Sequence, residues 1–308
     1  MMGMKKGLSF LLLVFVFIAG CAKMTEEKRA RNAQEYYREA VNAYANKDYG
    51  DAAWSFNEAL KYMDYLTPEQ IENAKFLLGK SYYYDGNYVN AVVALEDYIF
   101  YYPKLSRTEE AYYLLIDSYI KVSPDPYRDQ EYTWKAIDKA KEFLSKFPKS
   151  SFAQKVQGLI DTAYRKIAQY ELNIAEFYEN YGYTYSAALR YREVLINFPG
   201  QVNEPEVAYR YIMCLLTTDR QVNIEKEKME SLIREAKDKL EEARSEEEKK
   251  AAQKRLSFLE SEVKRWEEIG KKALEEAKEA LAKYREVYGE TLYYRKLKEL
   301  AKEKGWKS

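Results

Sequence analysis

Residues Ala168–Gly200 read AQYELNIAEFYENYGYTYSAALRYREVLINFPG, and this stretch decides the fold. Small residues fall at Ala175 and Ala187 and large ones at Ile174, Tyr178, Tyr191 and Val194, with Tyr181-Gly182-Tyr183 between the two halves and Pro199 at the end. The spacing predicts two amphipathic helices that cross at their alanines, because only a short side chain lets two backbones approach closely. Gly182 marks the turn, and Pro199 stops the second helix.

The same offsets recur upstream. The residues twelve, eight and five before Pro199 are Ala187, Tyr191 and Val194; before Pro103 they are Ala91, Leu95 and Tyr98, and before Pro148 they are Ala136, Ala140 and Phe143. A further copy without the proline keeps Ala52, Phe56 and Ala59. A first helix precedes each, carrying Tyr36 and Ala40, then Leu78, Gly79 and Tyr82, then Leu115 and Tyr119, then Ile174, Ala175 and Tyr178. A small-large pattern with a period near 34 residues resembles the tetratricopeptide repeat. The expected fold is therefore all-α, a tetratricopeptide-repeat solenoid of about five helical hairpins with a long, coiled-coil-like helical extension at the carboxy terminus. Repeats are expected over residues 33–66, 72–103, 109–148 and 168–199, with a loop at Ser123-Pro124-Asp125-Pro126 and a long helix from Ser151 leading into the fourth.

The amino terminus reads as a targeting segment. Lys5 and Lys6 precede an apolar run from Leu8 to Ile18, which is too short for a permanent membrane span of about 20 residues. Ile18-Ala19-Gly20-Cys21 resembles the bacterial lipobox, which implies removal of residues 1–20 and acylation of Cys21. Several acyl chains hold a protein on a bilayer where one would be marginal. Ala22 after the cysteine favours the outer membrane, as in enterobacterial lipoproteins. Residues 21–32 are expected to be the lipidated tether, 33–218 the repeat array and 219–308 a charged helical extension.

Composition narrows the function. The chain holds 50 basic and 50 acidic side chains and no histidine. Loss of Lys5 and Lys6 with the signal leaves 48 against 50, a net of −2. That balance offers no nucleic-acid surface. Histidine is the commonest general base and metal ligand, and no Cys cluster, glycine-rich phosphate loop or Gly-x-Ser-x-Gly turn replaces it. Glu109-Glu110 sits at a helix start, where carboxylates favour the helix dipole. No catalytic residue, metal ligand or cofactor is assigned, and the protein is expected not to be an enzyme. With Cys21 acylated, Cys214 is the remaining cysteine, and its apolar setting from Tyr211 to Leu216 predicts a buried core thiol.

The order of features resembles a particular family. A lipobox is followed by Leu95-Glu96-Asp97-Tyr98-Ile99-Phe100-Tyr101-Tyr102-Pro103, then Phe147-Pro148-Lys149-Ser150-Ser151, then Ile167-Ala168-Gln169-Tyr170-Glu171-Leu172-Asn173-Ile174-Ala175-Glu176-Phe177-Tyr178. This is similar to the BamD family of β-barrel assembly lipoproteins, whose corresponding stretch runs LA-x-YEL-x-VA-x-YY. The resemblance implies a non-catalytic, lipid-anchored adapter on the periplasmic face of the outer membrane. It implies binding to a BamA-like barrel protein, the company of other assembly lipoproteins, and transient contact with unfolded barrel precursors. In the family the amino-terminal repeats receive the precursor and the carboxy-terminal ones hold BamA. The alternative is a periplasmic tetratricopeptide and coiled-coil protein that coordinates envelope or peptidoglycan processes.

Repeat geometry points to a groove. Residues two, five, nine and twelve of a first helix face the concave side of such an array. They include Tyr37, Val41 and Tyr44, then Phe76, Lys80 and Tyr83, then Tyr113, Asp117 and Ile120. Tyr37, Tyr44, Phe76, Tyr83 and Tyr113 are the candidate peptide-binding residues, since an aromatic inner face suits the aromatic end of a barrel strand. The alternative is that long inter-repeat helices cover this face and make it core.

Beyond Leu216 the pattern weakens. Glu204–Leu216 reads as the first helix of a fifth repeat, but no partner helix follows in register. Apolar residues then recur at threes and fours to Tyr288, and Ser245 with Glu248 has the form of a capping box that would let the segment fold back. Breaks are expected at Gly270 and Gly289, with residues 302–308 frayed.

Overall fold

The computed structural model describes residues 25–306, so residues 1–20, read above as a signal segment, and Cys21 lie outside the described residues. The chain is all-α. Among the described residues the α-helices are α1 (Glu26–Ala45), α2 (Tyr49–Leu60), α3 (Pro68–Tyr84), α4 (Tyr88–Tyr101), α5 (Thr108–Val122), α6 (Glu131–Lys146), α7 (Ala153–Asn180), α8 (Thr184–Asn197), α9 (Glu204–Leu216), α10 (Asp219–Glu242), α11 (Glu246–Tyr288) and α12 (Leu292–Glu303). They divide into two compact units, one holding the chain to Val122 with Asp138–Gln157 and the other holding Ser123–Ile137 with Gly158 onward.

In the first unit each helix packs on the next, α1 on α2 through to α4 on α5, while α3 also meets α1 and α5. That is the tetratricopeptide arrangement. Thr67 opens α3 with a complete capping box: its side chain accepts from the Gln70 backbone and Gln70 reaches back to the Thr67 backbone. The turns between paired helices are polar, Asn46-Lys47-Asp48 and Asp85-Gly86-Asn87, and Gly86 takes a φ of 78° that suits glycine. Ala40, Ala52, Ala53, Phe56, Ala74 and Leu78 form one buried cluster. The predicted alanines mark the crossings, and the large residues between them supply the apolar area, about 1.5–3 kcal/mol for each fully buried aliphatic or aromatic side chain.

In the second unit the α7–α8 hairpin has the predicted turn, with Gly182 at φ 80°. Tyr191 Oη donates to Glu179 at 2.6 Å, and Arg210 of α9 donates to the Tyr191 hydroxyl at 3.0 Å. Cys214 is fully buried, as expected of a core thiol, and burial pushes its pKa up.

As expected, Ser123–Gln130 forms a loop and a single helix runs from Ala153 to Asn180, containing the fourth repeat's first helix. Three expectations need correction. Among the described residues the first helix starts at Glu26, inside the stretch read as tether, because Thr25 caps it and charged residues form helix readily. Gly270 does not break α11; it stands where Val222 approaches closely, 3.2 Å from the place of a Cβ. Residues 302–306 are not frayed: Lys304 pairs with Asp219 at 2.9 Å and the Trp306 ring lies under Lys278.

The missing partner of α9 also has an answer. α9 packs on α8, on α11 and on α12, whereas α10 packs chiefly on α11. α10 and α11 are joined at Ser245, which accepts from the Glu248 backbone while the Glu248 carboxylate accepts from the Ser245 backbone. The chain runs away from α9 along α10, folds back at this capping box, and returns along α11 to cover α9. Gly289, at φ 75°, then ends α11. Tyr211 Oη donates to Glu276 at 2.6 Å, and Tyr209 stacks on Tyr293 with ring centres 4.8 Å apart.

Candidate peptide-binding face

The inner face of the first unit is made by α1, α3 and α5 side by side. Their register is set by polar bonds between first helices. Gln34 and Gln70 exchange amide hydrogen bonds at 2.9 and 3.2 Å. Asn73 Nδ2 donates to Tyr37 Oη at 2.9 Å, Arg107 donates to Asn73 at 2.7 Å, and Lys80 Nζ donates to Glu110 at 2.8 Å. Tyr83 Oη donates to Asp117. The spacing of about one repeat between partners follows from equivalent positions on adjacent first helices.

These bonds sort the five aromatic candidates. Tyr37 is half-buried and stands at the wall of an open cleft of about 780 Å³ between α1 and α3. Tyr44 is half-buried, edge-on to Tyr49 at 5.6 Å. Burial raises its pKa, and the neighbouring Lys80 opposes that. Phe76 is a correction: it is only 3% exposed and belongs to the core. Tyr98 packs on its ring at 5.2 Å, and Lys80 and Arg107 lie over its faces at 5.3 and 5.2 Å. Tyr83 is held by its bond to Asp117, and burial, followed by that carboxylate, drives its pKa up. Tyr113 stacks on Phe152 at 5.4 Å, so the segment leading into α7 covers it. The face is thus open at α1–α3 and closed at Tyr113.

Lys80 remains a cation. Burial pulls its pKa down, but the Glu110 carboxylate outweighs that and raises it. Its charge is consumed by Glu110 and by the ring of Phe76, which makes it part of the wall.

Sequence reasoning from aromatic positions missed the rest of the cleft. Arg31, Gln34, Glu35, Arg38, Val41, Asn42, Gln70 and Asn73 line it beside Tyr37. Only Val41 and Tyr37 had been placed on this face. The signal was the polar series Gln34, Arg38, Asn42 at a spacing of four, which puts amides and a guanidinium along one helix stripe. Side-chain amides carry both donors and acceptors, the complement of an extended backbone, and guanidinium forks match carboxylates. No group of three or more His, Cys, Asp or Glu side chains suited to a metal occurs among the described residues.

The profile of the YfiO family, described as an outer membrane lipoprotein, matches residues 29–232, more than half of the chain. The chain belongs to this family. A putative outer membrane protein assembly factor BamD of Aquifex aeolicus (strain VF5) is 54% identical over 301 residues, covering 98% of either chain. The BamD of Caulobacter vibrioides is 24% identical over 67% of this chain and 68% of its own. That of Rickettsia prowazekii is 26% identical over 68% of this chain and 84% of its own. The YfiO profile ends within α10, but the Aquifex relative aligns over nearly the whole chain, so the α10–α12 extension is shared with it. No helix among the described residues is long and apolar enough to cross a membrane.

Proposed function

We propose that the protein is a non-catalytic adapter of outer-membrane β-barrel assembly, anchored through an acylated Cys21 at the periplasmic face of the outer membrane. The observation that carries this reading is its membership of the YfiO family, with 54% identity over nearly its whole length to a relative named as an assembly factor. On this reading it binds a BamA-like barrel protein and companion lipoproteins, and it transiently holds unfolded barrel precursors.

The α1–α3 cleft is the proposed precursor site. Its amides Gln34, Asn42, Gln70 and Asn73 suit an extended backbone, Tyr37 and Val41 suit an aromatic or aliphatic side chain, and Arg31 and Arg38 suit a terminal carboxylate. Barrel strands end in such a segment. The envelope-scaffold alternative finds no comparable support, because the α10–α11 pair is satisfied within one chain, folding back on itself and onto α9.

Depletion in the native organism tests the function. Folded, heat-modifiable barrel proteins in the outer membrane should fall several-fold while lipoproteins and periplasmic proteins hold steady. Unchanged barrel levels with altered cell shape would overturn the assembly role in favour of the scaffold.

A further inference from the structure

The two ends of the hairpins in the first unit differ in chemistry. Because Gln34 bonds Gln70 and the Tyr65 carbonyl, and Arg107 bonds Asn73, the amino-terminal ends of α1, α3 and α5 lie at one end of the unit. The chain segments at that end carry Tyr62, Met63, Phe100, Tyr101, Lys104 and Leu105. Phe100 is 77% exposed and Tyr101 60%. At the opposite end the turns Asn46-Lys47-Asp48 and Asp85-Gly86-Asn87 are polar, and of the side chains that flank them Tyr84 and Val89 are exposed, at 47% and 59%, less than Phe100 or Tyr101. An exposed aromatic and aliphatic rim of this kind needs an occupant.

The tether supplies one. Thr25 caps α1, so three residues and four chain steps separate it from Cys21, a reach of at most about 14 Å. The first two turns of α1 add about 12 Å beyond Gln34. The apolar rim therefore lies on the side of the unit from which the anchor leaves, at most about 26 Å from the acyl boundary. Headgroup layers reach about 5–7 Å beyond that boundary, and Tyr and Lys are side chains that settle there. With the tether slack, a tilt of α1 by roughly 55° brings the rim down to them.

We infer that the rim formed by Tyr62, Met63, Phe100, Tyr101 and Leu105 rests in the headgroup layer of the lipid surface, fixing the orientation of the first unit with its polar turns pointing away. This rests on the reading of Cys21 as the acylated residue. Val89 and Val93, exposed on the outer stripe of α4, lead from the rim toward the polar turn and should sit progressively farther from the lipid. A purely tethered protein would have no preferred depth; a docked one has a graded one.

The test uses the full acylated protein in vesicles of phosphatidylethanolamine and phosphatidylglycerol, with an environment-sensitive thiol probe on F100C, L105C, V93C or N87C. All four sites are exposed, and Cys214 is too buried to label. Flotation first establishes anchoring. The proposal expects the probes at 100 and 105 to shift to the blue and to be quenched at least threefold more by lipids brominated near the headgroup than the probe at 87, with 93 between. Equal, weak quenching at 100 and 87 in floating protein overturns the rim but leaves the anchor intact. Failure of the protein to float overturns both. Protection of the rim probes only when envelope proteins are added would make it a protein interface and overturn the lipid assignment.

Discussion

Leu95 of α4 lies against Gly79 of α3, its Cδ2 only 2.7 Å from where a Cβ on that glycine would stand. Leu95 is fully buried, so it has no open side to move toward. The closest helix crossing of the second repeat depends on the absence of one methyl group. Gly79→Ala should destabilise the protein by about 1–3 kcal/mol through overpacking, even though alanine is the better helix former by up to about 1 kcal/mol. Denaturant unfolding followed by circular dichroism measures this, and a stabilised variant would show that the crossing has slack.

Phe76 and Arg38 separate core from cleft. Phe76→Ala removes a ring 3% exposed and should cost about 3–5 kcal/mol of stability. Arg38→Gln alters an exposed side chain and should leave stability within about 0.5 kcal/mol. The affinities should run the other way. Arg38→Gln should weaken, about tenfold, the binding of a fluorescent peptide that ends in phenylalanine with a free carboxylate, and amidating that carboxylate should abolish the difference. Fluorescence anisotropy checks both.

Tyr83 ties α3 to α5 through Asp117, whose carboxylate also has Lys121 at 3.8 Å. Tyr83→Phe leaves that part-buried carboxylate one donor short, and a loss of about 1–2 kcal/mol is expected. Peptide affinity should hold, because Tyr83 is not part of the cleft wall. A loss of affinity without loss of stability would extend the binding face to Tyr83.

Glu142 gives the acid response of the first unit. Against burial, which raises its pKa, hydrogen bonds from Lys146 at 2.6 Å, Tyr112 at 2.7 Å and Lys139 at 3.0 Å bring it down to about 2. A folded-state value below the unfolded one means a stabilisation fully present above the unfolded pKa, 4.5, and lost as pH falls from there toward 2. Glu142→Gln should lower the melting temperature at pH 7 and flatten its decline between pH 4.5 and 2. Parallel melting curves for the two proteins over that range would contradict the pairing.

The repeat architecture was legible because Ala52, Ala91, Ala136 and Ala187 recur at fixed offsets, and a residue that must be small at a crossing leaves a mark that chemistry cannot disguise. The turn at Tyr181-Gly182-Tyr183 and the start of α11 at Ser245 were legible for similar local reasons, positive φ and reciprocal capping. Phe76 was not. Repeat position alone puts it on the inner face, but Tyr98 and Arg107 close around it beside Lys80, and the contacts to Tyr98 and Arg107 join residues more than twenty apart. The fold-back of α11 onto α9 was hidden likewise, since a heptad-like seam states that a helix has a partner without saying which one. The polar cleft escaped because amides on a helix read as ordinary solvated surface until two such helices stand side by side.

An adapter of barrel assembly must be found with the machine it serves, and co-purification shows whether it is. The acylated protein would be captured from native membranes in mild detergent, with Cys21→Ser as the untethered control, and its companions identified by mass spectrometry. The account predicts a BamA-like barrel protein in near-stoichiometric amount with the acylated form. Recovery of only the protein itself, or of peptidoglycan-linked proteins, would contradict it.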